Sequence, residues 1–447
     1  MYTLMSVSYN QFERASPFTY SKKNIDRQLK LLSKEFDNKW LEANGTHPLQ
    51  KLWRRKDQVS TLELYTFSRG VEKIKAIDER WFKHQKGVIL HENINNRKGA
   101  FWEIIGAYYL MDPKNRVVPA SISQKGFDLT SIINDTGKEI KYSLKYFSFS
   151  QHYKKFIAKC EEAKQKLLKK IREKNLNLQI LISKKNNYPS SKDWNDFDEI
   201  VGAILLKLDN NETDFGGIVD SWLIGCHRLP DKIEEHKLSN KVSSFTLLIH
   251  IPYHKNERNN LLSKIHDAIS NLENANVKEN KNEINSLFIH IPTTASIKQC
   301  DEWILDYFKQ IGRNPISNII LYQPSINFDF KSKRTYLQHC LHIIQNGGSY
   351  DLWYENDARN RPEFWFETGV FIQKPFQHLV VIGGNTYDMS NTYSYQTGDI
   401  FVEPKELDKN KLFARFGKYA GGIRIHTSYK SKIITTPIES HDELLIL

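Results

Sequence analysis

Residues 125–147 hold two strand-like runs, Phe127 to Ile133 and Lys138 to Phe147, on either side of Asn134-Asp135-Thr136-Gly137. Asn, Asp and Gly tolerate positive φ at little cost, so the spacer suits the tight turn of a hairpin. Folding about its centre sets Asp128 opposite Ser143, within about two residues of register. Side chains alternate along the second strand. Glu139, Lys141, Ser143 and Lys145 therefore share one face, while Ile140, Tyr142, Leu144 and Tyr146 take the other. An acid at the head of one strand thus meets a lysine two residues beyond its cross-strand partner. A hairpin that only packs has no need of that pair.

Phosphodiester hydrolysis does need it. A divalent metal, held by carboxylates, carries negative charge and makes a hydroxide at neutral pH. A cation near the attacking water assists, and a lysine on the same strand face supplies one. In these residues the stretch resembles the PD-(D/E)xK nuclease superfamily, whose motif is an Asp on one strand and acid-x-Lys on its hairpin partner. Asp128 and Lys145 match, and Ser143 stands where the acid is expected. Glu139-Ile-Lys141 has the motif's letters but lies nearer the turn, roughly 13 Å along the strand from Asp128's partner. Geometry therefore favours Ser143-Leu-Lys145. A subset of restriction enzymes in this superfamily also reads Ser-x-Lys and carries the missing carboxylate on a Glu of the next helix. Glu161 and Glu162 are the first acids after the strand.

The helix preceding the motif adds a further acid. Gly99, Ala100, Glu103, Gly106 and Ala107 recur at helical spacing, giving a stripe of small residues with one carboxylate in it. Such a stripe lets a helix approach a sheet closely, and a buried Glu is costly unless paired or metal-bound. In the resembling superfamily this helix often contributes a metal-binding acid, a place that Glu103 matches. The plainer reading is an exposed surface Glu. The resemblance covers about residues 96–185. It implies Mg²⁺, for which Mn²⁺ can substitute, held by Glu103, Asp128 and Glu161. Lys145 would polarise the attacking water, and Ser143 would mark the slot that the moved carboxylate serves.

Around this core, the N-terminal region reads as helical. Ile25, Leu29, Leu32, Phe36 and Leu41 space one amphipathic helix over 24–43, and a second helical stretch runs to about Lys86 with Gly87 as its stop. Residues 151–174 form a helix with Phe156, Cys160, Ala163, Leu167 and Ile171 buried and many lysines outside. That basic face suits either phosphate binding or simple solvation. Leu178 to Ile182 is a buried strand, and the order helix, strand, hairpin, helix, strand predicts a mixed sheet with helices on both sides. Beyond the turn-rich 185–195, Ile200 to Leu208 and Ile218 to Cys226 read as strands. Leu247-Leu-Ile-His-Ile-Pro252 and Leu287-Phe-Ile-His-Ile-Pro292 form a weak echo of strand followed by helix, with His250 and His290 as strand-end histidines rather than ligands. Arg359 and Arg361 lie among Trp353, Tyr354, Trp365 and Phe366, a mixture that serves base stacking or packing.

The predicted fold class is therefore α/β: a restriction-endonuclease-like mixed sheet flanked by helices. The expected divisions are a helical region at 1–95, a nuclease core at 96–185 and an α/β accessory region for recognition or regulation at 186–447. A net charge of +12 favours an anionic partner. Cysteines 160, 226, 300 and 340 form no C-x-x-C pair, as expected of reduced thiols in a cytoplasmic protein. The first ten residues lack the pattern of a signal peptide, and no run approaches the ~18 apolar residues of a membrane span. No P-loop or dinucleotide fingerprint occurs. Together with the resemblance, these features predict a Mg²⁺-dependent endonuclease acting on DNA, of restriction or anti-phage type, with room for a homo-oligomer or a defence-system partner protein. The residues do not separate DNA from RNA. The competing expectation is a nuclease-fold protein that has lost its chemistry, as Ser143 would report, and keeps its grip on nucleic acid or a partner.

Overall fold

The computed structural model describes residues 21–54, 58–91, 94–112, 115–121, 126–133, 137–228, 242–274, 283–312, 316–329, 334–345, 348–351, 366, 369–372, 375, 379–382, 385–402, 413–415, 425–429 and 432–436. The chain divides into two compact units. The hairpin unit comprises Ser16–Ser148 and Lys255–Phe376, and the second unit Phe149–His254 and Gln377–Glu443, as far as these are described.

Six helices open the hairpin unit: α1 (Lys22–Phe36), α2 (Asn38–Glu42), α3 (Pro48–Arg54), α4 (Gln58–Ile77), α5 (Glu79–Leu90) and α6 (Ile94–Tyr109). Strands β1 (Asn115–Pro119), β2 (Leu129–Ile133) and β3 (Glu139–Tyr146) follow. The chain then builds α7 (Gln151–Lys174), β4 (Asn177–Lys184), α8 (Ser191–Asp209), β5 (Phe215–Val219), β6 (Trp222–Arg228) and β7 (Val242–Pro252) of the second unit. It returns with α9 (Asn256–Asn274), β8 (Glu283–His290), α10 (Ile297–Ile311), β9 (Asn318–Asp329), β10 (Arg334–Gln345), β11 (Gly348–Asp351) and β12 (Val370–Phe371). The second unit is completed by β13 (Leu379–Ile382), β14 (Asn385–Asp388), β15 (Thr392–Val402), β16 (Phe413–Arg415), β17 (Ile425–Tyr429) and β18 (Lys432–Thr436).

Both main sheets are mixed, giving the α/β class. In the hairpin unit the order is β1-β2-β3-β8-β9-β10-β11, with β12 on β10. The β1-β2-β3 meander and the β9–β10 pair are antiparallel, whereas β3–β8 and β8–β9 are parallel. The second unit has β16-β15-β7-β4-β6-β5, parallel only between β4 and β7 among its described pairs. Pro119 closes β1 at the sheet edge, where its missing N–H costs no ladder bond.

Helix α6 packs on β3. A methyl at Gly106 would stand 3.5 Å from Leu144 Cδ1, and Ala100 and Ala107 are buried on either side. Trp102 extends from the same helix to stack on Tyr322 of β9, 5.3 Å between ring centres and 8° between planes. The small residues thus do bring a helix onto the sheet, as their spacing predicts. The core of the second unit is separate, with Phe156, Trp194, Phe197, Trp222 and Tyr393 among its members.

Several expectations give way. The helix expected over 24–43 is two, because Asp37 takes φ 61° and its carboxylate caps α2 at Trp40 N, 2.9 Å away. Gly87 does not stop a helix. It lies within α5, which Ile89, fully buried, carries on to Leu90. Residues 200–208 belong to α8 instead of a strand, with Ile200, Val201, Ile204 and Leu208 buried at helical spacing. Residues 218–226 span the β5–β6 hairpin. The expected core at 96–185 is split. Its helix α6 and strands β1–β3 lie in the hairpin unit, while α7 and β4 lie in the second unit, where β4 pairs with β6 and β7. In the hairpin unit, the helix and strand that follow β3 are α9 and β8, which lie outside residues 96–185. The aromatic and arginine positions 353, 354, 359, 361 and 365 lie outside the described residues.

Candidate functional site

The hairpin register is set by Leu129 facing Tyr142, so the next position outward places Asp128 across from Ser143. Asp128 N donates to Tyr142 O at 2.8 Å, holding the head of the strand in place. Its carboxylate turns toward β3. Oδ2 accepts from Leu144 N at 2.6 Å and lies 3.7 Å from Lys145 Nζ. About a quarter of each of these two side chains is exposed, so the pair is open to solvent on one side.

Glu103 approaches the pair from α6. Gln85 of α5, itself buried, donates from Nε2 to Glu103 Oε2 at 2.6 Å. Burial and then the charge of Asp128 push the Glu103 pKa up to about 8, with Lys145 and Gln85 opposing the rise. At neutral pH the Glu103 carboxyl therefore tends to keep its proton, because burial and then the charge of Asp128 disfavour its ionised form. Ser143 is buried, and its hydroxyl donates to Gly126 O at 3.3 Å. Gly126 has φ 113°, a conformation L side chains rarely adopt, so the bend before Phe127-Asp128 needs glycine.

The alternative slot has other employment. Lys141 Nζ lies 5.2 Å from the centre of the Phe127 ring, and Glu139 stands opposite Ile132 near the turn. Glu161 lies on α7 of the second unit, where Oε1 accepts from Tyr395 at 2.6 Å and Oε2 is 3.4 Å from Lys164. The structure thus brings Glu103, Asp128, Ser143 and Lys145 together in one unit and gives the Glu161 carboxylate partners in the other. Among the described residues no three His, Cys, Asp or Glu side chains gather as a metal site would; Glu103 and Asp128 are a pair. Part of the basic face of α7 is paired with acids. Lys159 pairs with Asp198, Lys166 with Glu162 and Lys170 with Asp209, at 2.5, 2.7 and 2.8 Å.

Two residues of the neighbourhood escape sequence reasoning. Gln85 carries no motif. Lys264 lies on α9, placed by sequence order in the accessory region, yet α9 is the crossover between the parallel strands β3 and β8. Asn260 Nδ2 donates to Ser148 O, fixing α9 against the end of β3. Burial and the charge of Lys145 hold the Lys264 pKa below the usual lysine range, with Asp267 opposing. The signal that could find it is the buried apolar run at 287–290 in β8, which asks for a parallel partner and hence a crossover helix. No family model matches this chain, and no curated protein matches it.

Proposed function

We propose that the hairpin unit is a restriction-endonuclease-like, metal-dependent nuclease core that hydrolyses phosphodiester bonds, with DNA as its substrate. The observation that carries this reading is the Asp128–Lys145 pair, 3.7 Å apart across from Ser143, with Glu103 close enough for the Asp128 charge to raise its pKa. Two interacting carboxylates, one with its pKa raised first by burial and then by the other's charge, fit a divalent ion. Mg²⁺ is satisfied by one or two carboxylates, with water and phosphate completing its shell. Glu103 and Asp128 would hold it, with Mn²⁺ a substitute. Such an ion, when bound, neutralises phosphate charge and lowers the pKa of a bound water.

The chain's own residues supply the rest. Lys145 holds its ammonium 3.7 Å from Asp128 Oδ2, where it can orient the attacking water and attract the phosphate. Leu144 N fixes the Asp128 carboxylate, and Gln85 fixes Glu103, so neither has to be ordered when substrate arrives. The Ser-x-Lys pattern calls for an acid from the helix after the motif strand. Within this unit that helix is α9, and Glu257, 1% exposed in its first turn, lies within about 60° of Asn260 and Lys264 around the helix axis. Glu257, in the same unit as Ser143, is therefore set beside Glu161 as the acid to test for the Ser143 slot.

Incubation of the protein with supercoiled plasmid and with RNA, in Mg²⁺, Mn²⁺ or EDTA, tests the reading. Metal-dependent nicking of the plasmid is expected, and Asp128→Ala and Lys145→Ala should each lower it by at least about a thousandfold, since each loss costs several kcal/mol at the transition state. Cutting that persists in either variant would place the chemistry elsewhere. A second reading, a nuclease fold that binds without cutting, is favoured by the serine in the acid's place. Calorimetric titration with Mn²⁺ separates the two, because only the enzyme needs the ion.

A further inference from the structure

Helix α5 buries Trp81, Phe82, Gln85 and Ile89, and helical spacing sets Gln85 at the centre of that stripe, between apolar neighbours. A Leu or Met would fill the place with no polar group to satisfy, and a buried amide is costly unless it is bonded. The bond it makes is to the candidate site. Gln85 Nε2 donates to Oε2 of Glu103 on α6 at 2.6 Å. Glu103 is itself partly exposed, and among the described residues no donor reaches its Oε1. The two oxygens of this carboxylate are therefore unequal. One is engaged by a buried side chain that packing holds in place, and the other is not.

A carboxylate can meet a cation through one oxygen or through both. Ca²⁺ has a large and flexible shell and readily takes both. Mg²⁺ demands a near-octahedral shell, which the narrow bite of a two-oxygen carboxylate distorts. We propose that Gln85 selects the cation: by holding Oε2 it makes Glu103 a one-oxygen ligand, which favours Mg²⁺ over Ca²⁺. That Glu103 meets a cation at all rests on the nuclease reading; that it does so through one oxygen rests on the bond from Gln85. Gln85 is thus a positioning residue, acting through Glu103 and not on the substrate.

Calorimetric titration of the full chain with Mg²⁺ and with Ca²⁺, at one pH and ionic strength, tests this. Gln85→Met keeps the length of the side chain and removes the donor. Gln85→Asn keeps an amide but, one carbon shorter, withdraws it from Oε2. Each should lower the ratio of Mg²⁺ to Ca²⁺ affinity at least about tenfold, chiefly by tightening Ca²⁺. Gln299→Met removes another amide–carboxylate bond, the one to Glu302 on α10, and should leave the ratio at the wild-type value. Thermal melts check that each variant folds, and if one does not, the other decides. An unchanged ratio in a folded Gln85 variant, or a loss of both affinities alike, overturns the selection, while ion binding by the wild type leaves the nuclease reading standing. A wild type that binds neither ion brings down that reading, and the selection with it.

Discussion

A carboxyl at residue 103 links folding, metal and pH. Folding raises the Glu103 pKa from 4.5 to about 8, so the folded chain holds this proton more tightly than the unfolded one. Its contribution to stability is then full below about 4.5 and is lost as pH rises to about 8. Gln at this position cannot ionise, yet it can still accept from Gln85. Thermal melts of Glu103→Gln in EDTA should therefore resemble the wild type at acid pH and exceed it at alkaline pH, with a flatter profile between. Added Mg²⁺ should raise the wild-type melting temperature at alkaline pH far more than that of the variant, because the ion removes the repulsion that the variant no longer has. Parallel profiles for the two proteins would show that this carboxyl is not the group that burial and Asp128 perturb. Residue 103 was also the most legible part of the site after the hairpin. A lone acid in a stripe of Gly and Ala points to a helix pressed on a sheet, which is where Ala100, Gly106 and Leu144 put it.

Among the elements, hairpin and crossover helix differ in how far sequence alone reveals them. Asp128, Ser143 and Lys145 fall together because a short turn and strict alternation fix β2 against β3 locally, within a few residues of chain. Helix α9 does not come next in sequence. The chain leaves the hairpin at Ser148 and returns at Lys255, so the first acids after the motif, Glu161 and Glu162, belong to the second unit. Nothing in a local pattern announces that interruption. The mistaken strand at 200–208 has a different cause: a short apolar run fits a buried strand and a buried helix alike. Ser190 and Asp193, which cap each other's backbone at the start of α8, are the signal that decides for helix. The choice between helices is open to kinetics. Glu257→Ala should lower cleavage at least about a hundredfold with Glu257→Gln no better, as expected when a charge on the metal or water is lost. Glu161→Ala should cut within about threefold of the wild type, and instead cost the second unit the charged hydrogen bond from Tyr395, about 1.5–3 kcal/mol. A dead Glu161→Ala with an active Glu257→Ala would return the missing acid to α7.

At the scale of the whole molecule, two mixed sheets are built from interleaved stretches of one chain, and each has apolar residues of its own to bury. The cluster around Trp222 draws only on residues of the second unit, from Tyr153 to Ile251 and on to Tyr393 and Tyr395. The hairpin unit closes its sheet through β3–β8, joining residues 139–146 to 283–290, and its core includes Trp102, Tyr322 and Leu144. A chain with two cores need not melt in one step, and damage to one core should stay where it is made. Trp222 is fully buried, 5.3 Å from Phe197 and 6.3 Å from Trp194 between ring centres, so Trp222→Ala opens a large cavity at a cost of about 3–5 kcal/mol. Hydrogen exchange followed by mass spectrometry should then show faster exchange in α8, β4, β6 and β7. Protection in α6, β3, α9 and β8 should be unchanged. The reciprocal variant, Trp102→Ala, should loosen α6, β8 and β9 and leave β4 and β7 protected, since Trp102 packs on Phe288 and Tyr322 and its indole N–H donates to Phe288 O. Equal loss of protection across both sheets in either variant would show one cooperative body. The candidate site would then depend on the second unit for its stability, and not only on the hairpin, α6 and α9 that form it.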